Sequence, residues 1–98
     1  MSTVLRFIVQ STNEAVRVGD LRPHLKTWKG MKRVGDREWA FEGGTLTLTY
    51  EGRLGGADLV NTVRFEGQVR DLEASDRIMK LADWLSAELG WALTSSVG

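Results

Sequence analysis

Between Glu38 and Val69 apolar and polar residues alternate with a period of two, and two Gly-Gly pairs interrupt the alternation: EWAFEGGTLTLTYEGRLGGADLVNTVRFEGQV. A period of two marks half-buried strands, and Gly-Gly between two such runs is the composition of a two-residue hairpin loop. With Gly43-Gly44 as the first loop, Phe41 lies opposite Leu46, Trp39 opposite Leu48 and Arg37 opposite Tyr50. With Gly55-Gly56 as the second, Leu48 lies opposite Val63, Leu46 opposite Phe65 and Arg53 opposite Asp58. Both registers gather Trp39, Phe41, Leu46, Leu48, Val63 and Phe65 on one face. Ala40, Thr45, Thr47, Thr49, Thr62, Arg64 and Glu66 fall on the other. A slip of one residue would mix the two sets, because side chains alternate strictly along a strand. The pattern predicts a three-stranded antiparallel meander over about 37–42, 45–53 and 58–69. Its threonine-rich face suits solvent, since β-branched residues favour half-exposed strands.

The period then changes. Ala74, Ile78, Leu81, Ala82, Leu85 and Leu89 recur at steps of three and four, which predicts a helix over about 71–89 with one apolar stripe. Asp71 or Ser75 caps its start, and Gly90 is the expected left-handed residue after its end, turning Trp91 back onto Leu85. The stripe is expected to cover the apolar face of the meander. Met79 and Trp84 fall beside it, at the rim of the core; an exposed Trp84 would instead mark a contact with a partner. Residues 94–98 read as a flexible tail.

Upstream, TVLRFIVQ reads as a strand with Leu5, Phe7 and Val9 on one face and Val4 and Ile8 on the other. Apolar residues on both faces suit an inner position in the sheet. EAVRV, residues 14–18, is a candidate for a further strand. A short helix is predicted over about 21–29, with Asp20 as N-cap, Pro23 in its first turn and Gly30 as its stop. Leu21, Leu25 and Trp28 share one face of it, and Arg22, Lys26 and Lys29 the opposite one. The expected architecture is a single α+β domain over residues 1–98, a mostly antiparallel sheet with the helices packed on it.

Composition changes this picture chiefly by exclusion. Ninety-eight residues suit one hydrophobic core. The chain has no cysteine, which rules out disulfides, thiolate metal sites and Cys nucleophiles. MSTVLRFIVQST carries Arg6 within its apolar run and has no small-residue cleavage site, so no signal peptide is read there. No apolar run approaches a membrane span, and a cytoplasmic protein without membrane contact is expected. The formal net charge of zero hides an asymmetry. Arg17, Arg22, Lys26, Lys29, Lys32, Arg33 and Arg37 face only Asp20 and Asp36, whereas Arg70, Arg77 and Lys80 are outnumbered by acids from Glu66 onward.

Candidate chemistry is sparse. His24 is the one histidine, and the chain contains neither a G-x-S-x-G elbow, a G-x-x-x-x-G-K-[ST] loop nor a G-x-G-x-x-G fingerprint. Asp71, Glu73 and Asp76 look like a charged helix start rather than an acid–base pair. No catalytic residue, metal site or cofactor is expected, and an enzyme is the least favoured reading. Arg22, Lys26, Lys29, Lys32, Arg33 and Arg37 form the candidate partner-binding surface, with Trp28 and Trp84 as aromatic contacts. Clustered cations can neutralise phosphates and an exposed Trp28 can stack a base, so nucleic acid is the alternative partner. A neutral chain argues against it. Four tryptophans and opposed charged regions suit a protein partner, or a second copy in a homodimer. The expectation is therefore a small non-catalytic interaction domain of the adaptor, inhibitor or immunity-like kind.

Overall fold

The computed structural model describes residues 3–11, 14–28, 30–50, 59–69 and 72–97. In chain order the elements are β1 (Thr3–Gln10), β2 (Val16–Arg17), α1 (Val18–Lys26), β3 (Lys32–Arg33), β4 (Glu38–Phe41), β5 (Gly44–Thr49), β6 (Leu59–Val60), β7 (Thr62–Val69), α2 (Leu72–Leu89) and β8 (Ala92–Val97). Among the described residues the main sheet is antiparallel with six strands in the order β3-β4-β5-β7-β1-β8, and β2 pairs with β6 in a small second sheet. The fold is α+β, as the pattern predicts. No helix among the described residues is long and apolar enough to cross a membrane.

The two-face sorting of the meander is realised. β5 and β7 pair Leu46 with Phe65 and Leu48 with Val63, the predicted register, although Gly55-Gly56 and the Arg53–Asp58 pairing lie outside the described residues. The first hairpin differs. Trp39 lies opposite Leu46 and Phe41 opposite Gly44, so Glu42-Gly43 forms the loop instead of Gly43-Gly44. The reason lies in what each glycine does. Gly43 takes φ +98° while Glu42 keeps a negative φ, the signs of a type II turn. Gly44 sits in the ladder opposite Gly67, where a Cβ would run into the Glu66 carbonyl. The partner shifts by two, an even number, so every side chain keeps its face.

α2 buries Ile78, Leu81, Ala82 and Leu85 against β1 and β7. Its end follows the glycine logic: Gly90 has φ +68°, the Trp91 amide donates to the Ser86 carbonyl at 3.1 Å, and Trp91 is buried. The Ser86 hydroxyl returns a hydrogen bond to the Trp91 carbonyl at 2.6 Å. Asp71 lies outside the described residues.

α1 begins earlier than expected. Arg17 is its N-cap, its side chain making no capping hydrogen bond, and Asp20 lies in its first turn. Val18 joins Leu21 and Leu25 in the core at steps of three and four, so the buried stripe extends the helix one turn upstream. It ends at Lys26, where Thr27 donates its hydroxyl to the His24 carbonyl at 2.6 Å.

Two further strands depart from the expected plan. Lys32 and Arg33 pair with Ala40 and Trp39 and form one edge of the sheet. Residues 94–97, read as part of a tail, belong to β8, which pairs with β1 from Ala92 opposite Gln10 to Val97 opposite Leu5. Their sequence, TSSV, lacks a strong apolar alternation; backbone pairing to the open side of β1 makes the strand.

The core therefore lies on one face of the sheet. Val9, Trp39, Leu46, Leu48, Val63 and Phe65 meet α2 and α1 there. The opposite face carries Thr45, Thr94 and Lys32 in the open, with Arg6 and Arg64 flanking Glu66 at 3.1 and 3.8 Å.

Close approach of α2 to the sheet makes a contrast between two glycines. A Cβ on Gly67 would strike the Gly43 carbonyl and Ile78, whereas one on Gly19 would meet nothing. Gly67→Ala is expected to lose about 1–3 kcal/mol of stability by overpacking. Gly19→Ala, in a helix and in open space, is expected to gain about 0.4–1 kcal/mol. Urea unfolding of the two variants checks both signs.

Candidate functional site

Arg22 and Lys26 are one helical turn apart on α1 and so project from the same side of it. Arg33 lies opposite Trp39 in the β3–β4 pair and therefore points to the helix-bearing face. These three cations rim a groove of about 310 Å³ whose remaining walls are Leu25, Met31 and Trp39. Leu25 and Trp39 are buried, so the floor is apolar while the rim is positive. Met31, half-buried between Gly30 and Lys32, is a lining residue that periodicity did not single out.

The other predicted cations separate from this group. Lys32 pairs with Ala40 and so faces the opposite side of the sheet from Arg33, as adjacent residues of a strand must. Arg37 is half-buried; its guanidinium donates to the Leu59 carbonyl at 3.0 Å and the Leu48 carbonyl at 3.5 Å, tying β6 to the main sheet. Lys29 lies outside the described residues. The continuous basic track suggested by residues 22–37 is thus divided between two faces and an internal clamp.

Within the groove the cations are not equivalent. Arg33 is engaged locally: its Nη2 is 2.9 Å from Asp36 and its Nε donates to the Gly35 carbonyl at 3.1 Å. Arg22 is different. Its Nε is buried and finds no hydrogen-bond acceptor among the described residues. A buried donor left unpaired costs about 1–3 kcal/mol.

Neither a protein-family model, a curated protein nor a solved structure matches this chain.

Other chemistry has little to build on. His24 is half-exposed, with Nδ1 3.5 Å from a Glu88 carboxylate oxygen, a contact that joins α1 to α2 at the surface. Among the described residues no group of three or more His, Asp or Glu side chains is arranged to hold a metal ion.

Trp28 and Trp84 meet each other. Their ring centroids are 5.3 Å apart at a 48° tilt, and both half-buried rings pack against the core. They join the chain just beyond α1 to α2 beside Leu81 and Leu85, which places α1 alongside α2 on the sheet. Tilted aromatic pairs at this separation contribute about 0.5–1.5 kcal/mol beyond their buried area. A double-mutant cycle with Trp28→Ala and Trp84→Ala is expected to return a coupling in that range by chemical denaturation. Additive losses would mean that the rings do not support each other.

Proposed function

We propose that this domain is a non-catalytic interaction module whose groove between α1, β3 and β4 receives an acidic segment of a protein partner. The buried Nε of Arg22 carries the reading, because it is a desolvated donor for which the described residues supply no acceptor. Lys26 adds charge one turn away, and Arg33 closes the rim. The apolar walls from Leu25, Met31 and Trp39 give the partner a place for one hydrophobic side chain flanked by carboxylates. Such a site recognises by charge at its rim and by exclusion of water at its floor.

The same geometry weighs against nucleic acid. A phosphate track needs cations spaced along one surface, and Lys32 and Arg37 leave that surface. Base stacking needs an open ring, and Trp28 spends one side on Trp84.

Fluorescence anisotropy with three labelled probes tests the proposal: an Asp/Glu-rich peptide with a central Leu, its Asn/Gln counterpart, and a single-stranded oligonucleotide of equal charge. The acidic peptide is expected to bind most tightly. Arg22→Glu with Lys26→Glu is expected to weaken it by about tenfold or more, while Lys32→Glu on the opposite face leaves it unchanged. Circular dichroism and thermal melting confirm that the variants fold. No binding of the acidic peptide, or equal effects of both substitutions, would overturn the proposal. Tighter, steeply salt-dependent binding of the oligonucleotide would replace it with the nucleic-acid reading.

A further inference from the structure

The two edges of the main sheet differ in kind. At one, β3 is two residues long and both are cations, which is how natural sheets discourage further pairing. At the other, β8 runs for six residues, Ala92–Val97, with the sequence ALTSSV. It holds no charge, no proline and no glycine. One side of β8 is bonded to β1; among the described residues no strand meets the other. An uncharged edge of this length presents a row of backbone donors and acceptors ready to pair.

The flank of α2 above this edge is also unusual. Leu72 is 89% exposed and Met79 47% exposed, and seven residues apart on a helix they share a side. Met79, Lys80 and Asp83 line a groove of about 410 Å³ with Phe7, Leu93 and Ser95. The groove thus has apolar walls and one charge of each sign. Asp83 makes no ion pair among the described residues, while Lys80 reaches Asp76 at 2.9 Å.

We propose that β8 is a dimerisation edge, on which a second copy of this chain adds its own β8 antiparallel to form a continuous sheet of twelve strands. The second copy is the occupant that satisfies each feature at once. Antiparallel self-pairing requires a two-fold axis perpendicular to the sheet. Partners across that axis must point to the same face, so it passes through Thr94 or Ser95 and not between them. Both helical layers then lie on the same side. The α2 segment from Met79 to Asp83 stands over Leu93–Ser95, beside the axis, so the two grooves open onto each other. The joined grooves then carry Met79 from each copy, and Lys80 of one copy is complementary in charge to Asp83 of the other. A charged edge would repel its own copy, and this edge has none. The interface is isologous and closes at two copies, because the opposite edge is the short, basic β3.

Sedimentation velocity of the full chain over a range of concentrations, paired with amide hydrogen exchange, tests the proposal. Wild-type protein is expected to sediment as a dimer at micromolar concentration, and exchange in residues 92–97 is expected to slow as concentration rises. Thr94→Lys places like charges near the axis at an exposed position and is expected to raise the dimer Kd by about tenfold or more. Asp83→Lys is expected to weaken the dimer similarly, and adding Lys80→Glu to it to restore association. Circular dichroism keeps folding separate from assembly. A wild-type chain that stays monomeric at high micromolar concentration overturns the proposal, as does a dimer indifferent to Thr94→Lys. None of these readouts depends on the acidic-peptide groove, so the two readings stand or fall separately.

Discussion

Val63 and Phe65, both fully buried on β7, are where the two halves of the sheet and the long helix converge. β7 is hydrogen-bonded on both sides, to β5 through Leu48 and Leu46 and to β1 through Val9 and Phe7. Leu81 and Leu85 of α2 belong to the same buried cluster. Because cross-strand neighbours share a face, this one strand aligns the apolar sides of its neighbours, and the helices then have a single surface to cover. Gly67, two residues beyond Phe65, lets Ile78 descend to the backbone and brings α2 close enough to complete the layer.

A sheet covered on one face only has consequences at its margins. The helical layer is narrower than six strands, so grooves form where it ends. Near β3 and β4 the groove takes its cations from α1 and β3 and its floor from Trp39. Near β8 the groove lies beneath Met79 and ends on an uncharged strand. The two lie at opposite edges of the sheet on its helix-bearing face and differ in chemistry: one is positive and suited to an acidic segment, the other self-complementary and suited to its own copy. On the polar face Arg6 and Arg64 flank Glu66, and the Arg64 Nε, 3.8 Å from that carboxylate, is buried without a hydrogen-bond acceptor among the described residues.

Much of the fold was legible because the periodicities were clean. The Leu46–Phe65 and Leu48–Val63 pairs follow from alternation alone, and the α2 stripe and the left-handed Gly90 follow from helical spacing. The misplaced first turn has a local cause. Either glycine of the Gly43-Gly44 pair suits a loop by composition, and the choice fell to the Glu66 carbonyl, whose close approach across the ladder needs a glycine at position 44. β8 was hidden for a different reason: an edge strand with few core contacts has little apolar pattern to display. The start of α1 was displaced because a capping residue such as Asp20 is a weak signal beside the burial of Val18.

For the candidate site the division is sharper. The sequence by itself determined that Arg22 and Lys26 share a helix side, that cysteine and thiolate chemistry are absent, and that one face of the meander is apolar. These are properties of spacing and composition, which a chain carries before it folds. Tertiary structure alone decided that Arg33 joins Arg22 and Lys26, that Lys32 leaves them, that Arg37 is spent on the Leu59 carbonyl, and that Trp28 finds Trp84. Each of those outcomes depends on a pairing or packing between segments distant in the chain. Local periodicity says which way a residue faces on its own element, but not which element lies across from it.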